Sequence, residues 1–299
     1  MASLRTQRIL NLRDLKVLHI EPTDVCQAAC PLCARETDPA FDKHTQNHLT
    51  LTQIQKHFSD RVISNLDKMF MCGVYGDPAA GKHTREIYQY FRSVNPTITL
   101  GMNTNGALQN RSWWYDLGKL FSQSRDYVVF SIDGLADTNH IYRRNVDWVK
   151  LMNNIRGYIS AGGSAHWDML VYQHNEHQVD QCERMARDIG FTWFRAKVSN
   201  RGLYNSRLQP ATGWQLPVAA QGPINCHALK EKSAYIDAQG QLSPCCWLGE
   251  SRSNTITDIE QVQPTWKSNT PNSICQITCG TTDSKTSFSN QWQREVELV

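Results

Sequence analysis

Six short apolar runs alternate with longer amphipathic segments from residue 16 to about residue 200. Runs of this kind are typical of strands buried on both faces, and the segments between them have helical spacing. Right-handed crossovers join such strands into a parallel sheet. Because six strands are too few for a closed eight-stranded barrel, the pattern predicts an incompletely closed α/β barrel. A flat doubly wound sheet is the structural alternative.

The individual elements follow from the same periodicity. The predicted strands are Lys16–Ile20, Lys68–Val74, Thr97–Met102, Tyr127–Ile132, Trp167–Tyr172 and Thr192–Lys197. The predicted helices begin with one from about Thr52 and continue with Thr84–Val94, Ser112–Ser122, Asp147–Ser160 and Glu176–Ile189. Thr52 and Gln55 have the spacing of a capping box, and Gly190 is a typical residue to end the last helix.

Polar and glycine-bearing motifs follow four of the predicted strands. A cysteine-rich loop follows the first, and the next three end in YGDP, NTNG and SIDG, which are Tyr75–Pro78, Asn103–Gly106 and Ser131–Gly134. Parallel α/β barrels bind ligands at the carboxyl ends of their strands. Each motif alone could be an ordinary turn. Their occurrence in four consecutive loops predicts a ligand site at that end of the barrel.

The loop after the first strand carries Cys26, Cys30 and Cys33 with the spacing C-x3-C-x2-C. Three thiolates can hold three irons of a [4Fe-4S] cluster, and the fourth iron can then bind and reduce a small molecule. A zinc site usually shows paired C-x2-C knuckles. A disulfide framework needs an oxidising compartment, and the amino-terminal residues do not resemble a signal peptide. The spacing favours a cluster, with zinc and unliganded or disulfide-bonded cysteines as alternatives.

Composition excludes several classes of protein. The 299 residues are 40% hydrophobic and 20% charged, which is typical of a globular protein. A net charge of +3 is too small to indicate a nucleic-acid or anionic membrane partner. No apolar run approaches the roughly 18 residues of a membrane span. Ten cysteines without an export signal predict metal ligation in the reducing cytoplasm.

The alternation stops after residue 200, where residues 201–223 are rich in Gly, Pro, Gln and Asn and are predicted to form a linker. The following segment contains a predicted hairpin, Ser233–Ile236 with Gln241–Ser243, and five cysteines: Cys226, Cys245, Cys246, Cys275 and Cys279. A segment this short has little core of its own, so a metal centre would stabilise it. Residues 1–210 and 211–299 are therefore predicted to be two domains. The last stretch, Ser287–Val299, fits either a helix or a frayed tail.

These motifs and their order resemble the radical S-adenosylmethionine (radical SAM) superfamily. The resemblance implies that Cys26, Cys30 and Cys33 hold a [4Fe-4S] cluster whose open iron binds the amino and carboxylate groups of S-adenosylmethionine. YGDP resembles the GGEP motif, which receives the methionine ammonium, and Arg144 resembles the arginine of the IRG element, with Arg143 as the alternative. The implied S-adenosylmethionine-binding residues are Leu32, Tyr75, Gly76, Asp77, Pro78, Asn105, Ser131, Asp133, Arg143 and Arg144. Leu32 stands where the superfamily usually has an aromatic ring, and Asp77 is shorter than the usual acid.

The carboxyl-terminal segment resembles the SPASM domain and its shortened form, the twitch domain. Cys226, Gly240 and Cys245 meet the opening pattern C-x(9–15)-G-x4-C. A full SPASM domain needs seven cysteines for two clusters, and this segment has five. The resemblance implies one auxiliary [4Fe-4S] cluster, with zinc as the alternative, on Cys226, Cys245, Cys275 and Cys279, with Cys246 as the alternate to Cys245. The implied architecture is a partial (β/α)6 TIM-like barrel followed by a twitch-like domain.

The resemblance also implies an activity. The site cluster would reductively cleave S-adenosylmethionine to a 5′-deoxyadenosyl radical that abstracts hydrogen from a small molecule or a peptide, and the auxiliary cluster would help to oxidise that substrate. A flavodoxin or ferredoxin would supply electrons. Gln173, Asn175, Arg195 and Lys197 are candidate substrate contacts, although each fits a surface or structural role equally well. The alternative is a non-catalytic iron–sulfur protein for electron transfer or redox sensing.

Overall fold

The computed structural model describes residues 12–198, 208–213, 224–250, 264 and 272–280. Within these ranges eight strands form one sheet in the order β6-β5-β4-β3-β2-β1-β7-β8. All neighbouring strands are parallel except β8, which runs antiparallel to β7. The strands are β1 (Val17–Ile20), β2 (Lys68–Met71), β3 (Thr99–Thr104), β4 (Tyr127–Ser131), β5 (Ala165–Val171), β6 (Trp193–Val198), β7 (Ser233–Ile236) and β8 (Leu242–Ser243).

Eleven α-helices lie among the described residues, most of them between consecutive strands. They are α1 (Ala34–Thr37), α2 (Leu51–His57), α3 (Asp60–Ser64), α4 (Thr84–Val94), α5 (Arg111–Leu120), α6 (Asn139–Tyr142), α7 (Trp148–Ser160), α8 (Val179–Ile189), α9 (His227–Glu231), α10 (Cys246–Glu250) and α11 (Ser273–Cys279). Short 3-10 turns occupy Leu12–Asp14, Pro78–Ala80 and Glu176–Gln178. No helix in these ranges is both long and apolar enough to cross a membrane.

The sheet has an outer face covered by helices and an inner face that encloses a lumen. Alternate strand residues such as Leu18, Met69 and Trp167 join helix residues in the main hydrophobic core. Their neighbours face inward, where the rings of His19 and Phe70 stack at 4.4 Å. One cavity contacts both β1 and β6, five positions apart in the strand order, so the sheet curves into a partial barrel. The predicted incompletely closed barrel is confirmed.

The predicted element bounds agree with the structure to within a few residues. The α4 prediction, Thr84–Val94, matches at both ends, and α8 ends at Gly190 in the left-handed conformation, with φ 94°. The prediction of a capping box at Thr52 and Gln55 is wrong. The box forms two residues earlier, where the Thr50 hydroxyl accepts a hydrogen bond from the Gln53 backbone and the Gln53 side chain accepts one from the Thr50 N–H.

The predicted hairpin is confirmed as β7 and β8, and it occupies a place that the sequence did not indicate. Strand β7 pairs in parallel with β1, with Val17 opposite Ser233 and Ile20 opposite Ile236. The strand therefore extends the barrel sheet on the side of β1 that faces away from β2. Most of the predicted linker at 201–223 and the predicted tail Ser287–Val299 lie outside the described residues.

Candidate active site

The cysteine loop, residues 24–33, connects β1 to α1 at the carboxyl end of the sheet. Cys33 is the N-cap of α1, and its backbone N–H donates to the Cys30 carbonyl at 3.0 Å. The Cys30 thiol is buried, and those of Cys26 and Cys33 are partly buried. Burial is the main cause that raises the pKa of Cys30 to about 11 and that of Cys26 higher still, and the neighbouring thiols contribute to both shifts. The three thiols thus share one poorly hydrated site.

Two side-chain N–H donors point at sulfurs of this loop. Asn105 Nδ2 lies 3.7 Å from Cys26 Sγ, and Arg143 Nη1 lies 3.9 Å from Cys30 Sγ. Hydrogen bonds to cysteine sulfur and nearby positive charge stabilise thiolates and tune iron–sulfur centres. Three soft sulfur ligands with such donors fit a [4Fe-4S] cluster in the cysteine loop.

The YGDP and NTNG loops bond directly to the cysteine loop, and so does the segment that follows α6, beyond SIDG. The Asp77 N–H of the YGDP loop donates to the Val25 carbonyl at 2.9 Å. In the NTNG loop, Asn105 Oδ1 accepts from Gln27 Nε2 at 2.7 Å. Beyond SIDG, the Arg144 carbonyl accepts from the Ala29 N–H at 3.1 Å. The structure therefore brings the four sequence motifs together at one end of the barrel.

Asp77 is fully enclosed and holds two of these loops to each other. Its Oδ1 accepts from the Ala79 N–H at 2.9 Å and the Thr104 hydroxyl at 2.8 Å. Its Oδ2 accepts from both the backbone N–H and the side chain of Asn105, each at 2.7 Å. Burial raises the pKa of the Asp77 carboxyl, and these hydrogen bonds oppose the shift. Asp77 therefore links the loop that follows β2 to the end of β3 and its loop.

The other residues of YGDP also make close protein contacts. Tyr75 stacks on Phe41 at 4.2 Å, and its hydroxyl donates to Asp38 at 2.7 Å. A Cβ on Gly76 would stand 1.9 Å from the Thr23 carbonyl oxygen, so only glycine allows this approach to the cysteine loop. Pro78 is buried at the start of a 3-10 turn. The backbone of this loop is consequently held in place on both sides.

Sequence reasoning missed Glu21, which follows β1 and anchors the YGDP loop. A single oxygen, Oε1, accepts from three successive backbone N–H groups, those of Val74, Tyr75 and Gly76, at 2.7 to 3.0 Å. The other oxygen accepts from the Tyr235 hydroxyl of β7. Burial raises the pKa of Glu21 to about 7. A buried acid directly after a strand and five residues before a cysteine motif was the available signal.

Asp133 and Arg143 form a buried ion pair beside the cysteine loop. Arg143 Nε donates to Asp133 Oδ2 at 2.6 Å, and Asp133 Oδ1 accepts from the Leu170 N–H at 2.7 Å. The charge of Asp133 holds the pKa of Arg143 well above its usual range despite burial. Of the two alternative arginines, Arg143 therefore directs its side chain toward Cys30, whereas Arg144 is exposed and contributes its carbonyl.

Leu32 and Ser131 are the two remaining predicted S-adenosylmethionine contacts. Leu32 is 6% exposed and belongs to the main hydrophobic core. Ser131 ends β4 and is half-buried, opposite Asp168 of β5. Asp168 in turn forms ion pairs with Arg195 and Lys197, both at 2.9 Å. Two of the four candidate substrate contacts thus lie together on the inner face of the barrel.

The other two candidate substrate contacts lie elsewhere. Asn175 is buried, and its side chain donates to the carbonyls of Asp133 and Leu170. This gives it a structural role in joining β4 to β5. Gln173 is exposed, and its backbone N–H donates to the Gln209 carbonyl.

The cysteines of the carboxyl-terminal segment form a second group. Cys226, Cys245 and Cys275 pack in one small apolar cluster. Burial is the main cause that raises the pKa of Cys245 to about 12, and the thiols of Cys226, Cys279 and Cys275 add to the shift. Cys246 instead lies close enough to Tyr235 to contribute to the raised pKa of that hydroxyl. This arrangement favours Cys245 over Cys246 as the partner of the other three.

Among the residues that the structure describes, no three His, Cys, Asp or Glu side chains surround one point where a single metal ion could bind. All ten cysteines of the chain lie in these ranges as free thiols. In a [4Fe-4S] cluster each thiolate binds a different iron, so its ligands need not converge on one point.

Solved structures with the same fold include two enzymes. SuiB from Streptococcus suis, bound to its precursor peptide SuiA, has a TM-score of 0.61 and 13% identity over 90% of this chain and 72% of that chain. SuiB bound to S-adenosylmethionine has a TM-score of 0.60 and 12% identity over 90% and 73%. A histidine-tagged form of anSMEcpe with bound AdoMet has a TM-score of 0.56 and 14% identity over 78% and 72%. The fold is that of the radical SAM enzymes. No protein-family model and no curated protein matches the sequence.

Proposed function

We propose that this protein is a radical SAM enzyme that binds a [4Fe-4S] cluster at Cys26, Cys30 and Cys33 and oxidises its substrate with an auxiliary [4Fe-4S] cluster. Bound together, the site cluster and S-adenosylmethionine supply a 5′-deoxyadenosyl radical that abstracts hydrogen. Electrons would come from a flavodoxin or ferredoxin in a reducing cytoplasm. The observation that carries the proposal is the direct bonding of the YGDP loop, the NTNG loop and the arginines beyond SIDG, Arg143 and Arg144, to the cysteine loop.

The chain's own residues would position the cofactor. Glu21 and Asp77 hold the YGDP backbone in place. The carbonyls of Asp77 and Pro78 accept from the Ala80 and Gly81 N–H groups, so those of Tyr75 and Gly76 would receive the methionine ammonium. Asn105, Ser131, Asp133 and the Arg143 side chain lie around the same loops, which supports them as the walls of the S-adenosylmethionine site. Such a preorganised site excludes water and fixes the geometry of a reactive group, which decides the product.

The carboxyl-terminal residues 211–299 would form the twitch-like domain with the auxiliary cluster. Mutual proximity supports Cys226, Cys245, Cys275 and Cys279 as its ligands. A cavity of about 100 Å³ touches three of these cysteines and also His19, Phe70 and Tyr235 of the inner barrel face. This placement supports an auxiliary cluster beside the lumen, where it could accept an electron from a substrate.

The substrate class is either a peptide or a small molecule. SuiB has been solved with its precursor peptide, and anSMEcpe has been solved with a peptide called Cp18Cys. This likeness of fold supports a peptide. Arg195 and Lys197 place two cations beside Asp168 on the inner face, which favours a substrate with an acidic group.

The experiment that tests the proposal is anaerobic reconstitution with iron and sulfide, followed by addition of dithionite and S-adenosylmethionine. We expect about eight irons per chain, for two four-iron clusters, and formation of 5′-deoxyadenosine. Cys30→Ala should abolish 5′-deoxyadenosine formation, whereas Cys275→Ala should retain it. Cys182→Ala, which removes a buried thiol of α8, is the matched control and should behave as the wild type.

The outcomes separate the competing functions. A protein that holds about eight irons but forms no 5′-deoxyadenosine would be a non-catalytic electron-transfer or redox-sensing protein. An iron content near four, unchanged by Cys275→Ala, would remove the auxiliary cluster from the proposal. Zinc that stays bound to the carboxyl-terminal cysteines after reconstitution would identify the second centre as a zinc site.

A further inference from the structure

A cavity of about 760 Å³ opens at the end of the barrel opposite the cysteine loop. Its strand-borne lining comes from residues at or near the amino-terminal starts of six strands, namely Val17, Lys68, Thr99, Tyr127, His166 and Trp193. The cysteine loop and the three motif loops all follow the carboxyl ends. The cavity is therefore separate from the proposed S-adenosylmethionine site, and its volume is within the range of small-molecule pockets.

The amino-terminal end of a parallel barrel normally serves stability and is filled by apolar side chains. Here the layer contains Lys68, His166 and Glu231 instead. Lys68 Nζ lies over two rings, 4.8 Å from the centre of Tyr127 and 5.3 Å from that of Phe70. Burial lowers the pKa of Lys68 to about 8, and the nearby Glu231 opposes this shift. Lys68 therefore places an ammonium group on the wall of this cavity.

Positive charge predominates around the opening. The basic side chains that line it are Lys16, Lys68, Arg125, Lys230 and Lys232, and the acidic ones are Asp67, Asp126 and Glu231. Asp126 is neutralised by an ion pair with Arg92 and accepts two backbone N–H groups. Asp67 lies 3.7 Å from Lys16. Among the described residues that line the cavity, basic side chains thus outnumber acidic ones, which favours an anionic ligand.

One wall of the cavity is aromatic. The rings of Tyr127 and His166 stack with centres 5.3 Å apart and planes within 9°, and Trp193 lies 5.7 Å from His166. Gly101 makes room for this wall, because a Cβ there would stand 2.6 Å from the Tyr127 ring. A flat apolar body can pack on such rings while a charged end meets the Lys68 ammonium.

We propose that this cavity binds a small organic carboxylate with a ring-sized apolar body, whose carboxylate contacts Lys68 and whose body packs against Tyr127, His166 and Trp193. The ammonium carries three donors, so Lys68 can bind a carboxylate in addition to its existing contacts. A charged hydrogen bond of this kind changes affinity by at least about tenfold. The inference does not depend on the proposed function, because binding is measured without turnover.

The test is isothermal titration calorimetry of the reconstituted protein under anaerobic conditions with indole-3-acetate and benzoate. We expect binding of one molecule per chain, weakened at least about tenfold by Lys68→Met. Glu231→Gln removes a negative charge from the lining and should tighten binding. The matched control is Lys119→Met, since Lys119 also lies over a tyrosine ring, 5.4 Å from the centre of Tyr115, but on the exposed face of α5.

Three results would overturn the inference. The first is no heat of binding for either carboxylate at about 10 mM. The second is equal affinity in the wild type and in Lys68→Met, with both proteins showing a native melting transition. The third is binding of benzylamine or inorganic phosphate as tight as that of indole-3-acetate, which would show that neither the charge nor the apolar body is recognised.

Discussion

Glu21 is the residue whose protonation most directly affects the candidate site. Burial raises its pKa from 4.5 to about 7. Between these two values the folded protein keeps a proton that the unfolded chain releases, so a rise in pH favours unfolding. The free energy of unfolding should therefore fall by about 2 kcal/mol from pH 5 to pH 7 because of this group. Glu21→Gln should remove that part of the pH dependence, as measured by urea unfolding at both pH values.

The choice of glutamine keeps the loop intact. Its amide oxygen can still accept from the three N–H groups of residues 74–76, whereas Glu21→Ala would leave them buried without an acceptor. Each such group costs about 1–3 kcal/mol. Glu21→Ala is therefore expected to destabilise the protein at every pH. An unchanged pH dependence in Glu21→Gln would show that Glu21 is ionised in the folded protein.

At the residue scale, the sequence predicted the site where the spacing of the residues is itself typical of one chemistry. The spacing of Cys26, Cys30 and Cys33 indicates a cluster without any structure. Glu21 has no comparable pattern, because its partners are the backbone of residues 74–76 and a tyrosine more than 200 positions away. Asp77 was recognised as part of a motif, but its bonds to Thr104 and Asn105 depend on how two loops fold together.

At the scale of elements, the contact between the YGDP loop and the cysteine loop depends on Gly76. A Cβ there would stand 1.9 Å from the Thr23 oxygen and 2.9 Å from the Asp24 Cα, and backbone atoms cannot turn away as a side chain can. Gly76→Ala should therefore push the loops apart. We expect weaker binding of S-adenosylmethionine by equilibrium dialysis and a loss of more than about 2 kcal/mol in stability.

Gly162→Ala is the matched control for this change. Gly162 has φ +89°, and a Cβ added to it would have no atom within 4 Å, so the substitution adds backbone strain without a clash. It should cost about 1–2 kcal/mol and leave S-adenosylmethionine binding unchanged. Equal binding by Gly76→Ala and the wild type would mean that the YGDP loop does not position this cofactor.

The start of α2 illustrates the limit of local patterns. Thr50 with Gln53 and Thr52 with Gln55 fit the same capping motif. The structure uses the first pair, because this start places Ile54 in the core and leaves Thr52 exposed. The packing of the helix's apolar face selects the capping residue. The spacing between a threonine and a glutamine contains no information about that packing.

At the scale of the whole molecule, the carboxyl-terminal hairpin is part of the barrel sheet. Six parallel strands could be predicted because they alternate with helices along the chain. The pairing of β7 with β1 joins segments more than 200 residues apart, and short strands carry no signal that selects a distant partner. This pairing brings Tyr235 to Glu21 and so connects the carboxyl-terminal cysteine-bearing segment to the YGDP loop.

Tyr235→Phe tests this connection across the molecule. Loss of a hydrogen bond to a buried carboxyl costs about 1.5–3 kcal/mol, and Glu21 would then hold the N–H groups of Val74, Tyr75 and Gly76 less firmly. Hydrogen–deuterium exchange of these amides, followed by mass spectrometry, should become about tenfold faster or more. Exchange in β3 should stay as in the wild type.

Tyr88→Phe provides the comparison, because the buried Tyr88 hydroxyl donates to the Gly101 carbonyl at 2.7 Å in β3 and bonds to the backbone of Met71 in β2 rather than to Glu21. It removes a hydrogen bond of similar burial and should leave exchange at residues 74–76 unchanged. If Tyr235→Phe speeds the exchange of these amides no more than Tyr88→Phe does, the hairpin stabilises the sheet but does not order the YGDP loop. A selective effect would show that the segment bearing the auxiliary cysteines controls the order of the loop proposed to bind S-adenosylmethionine.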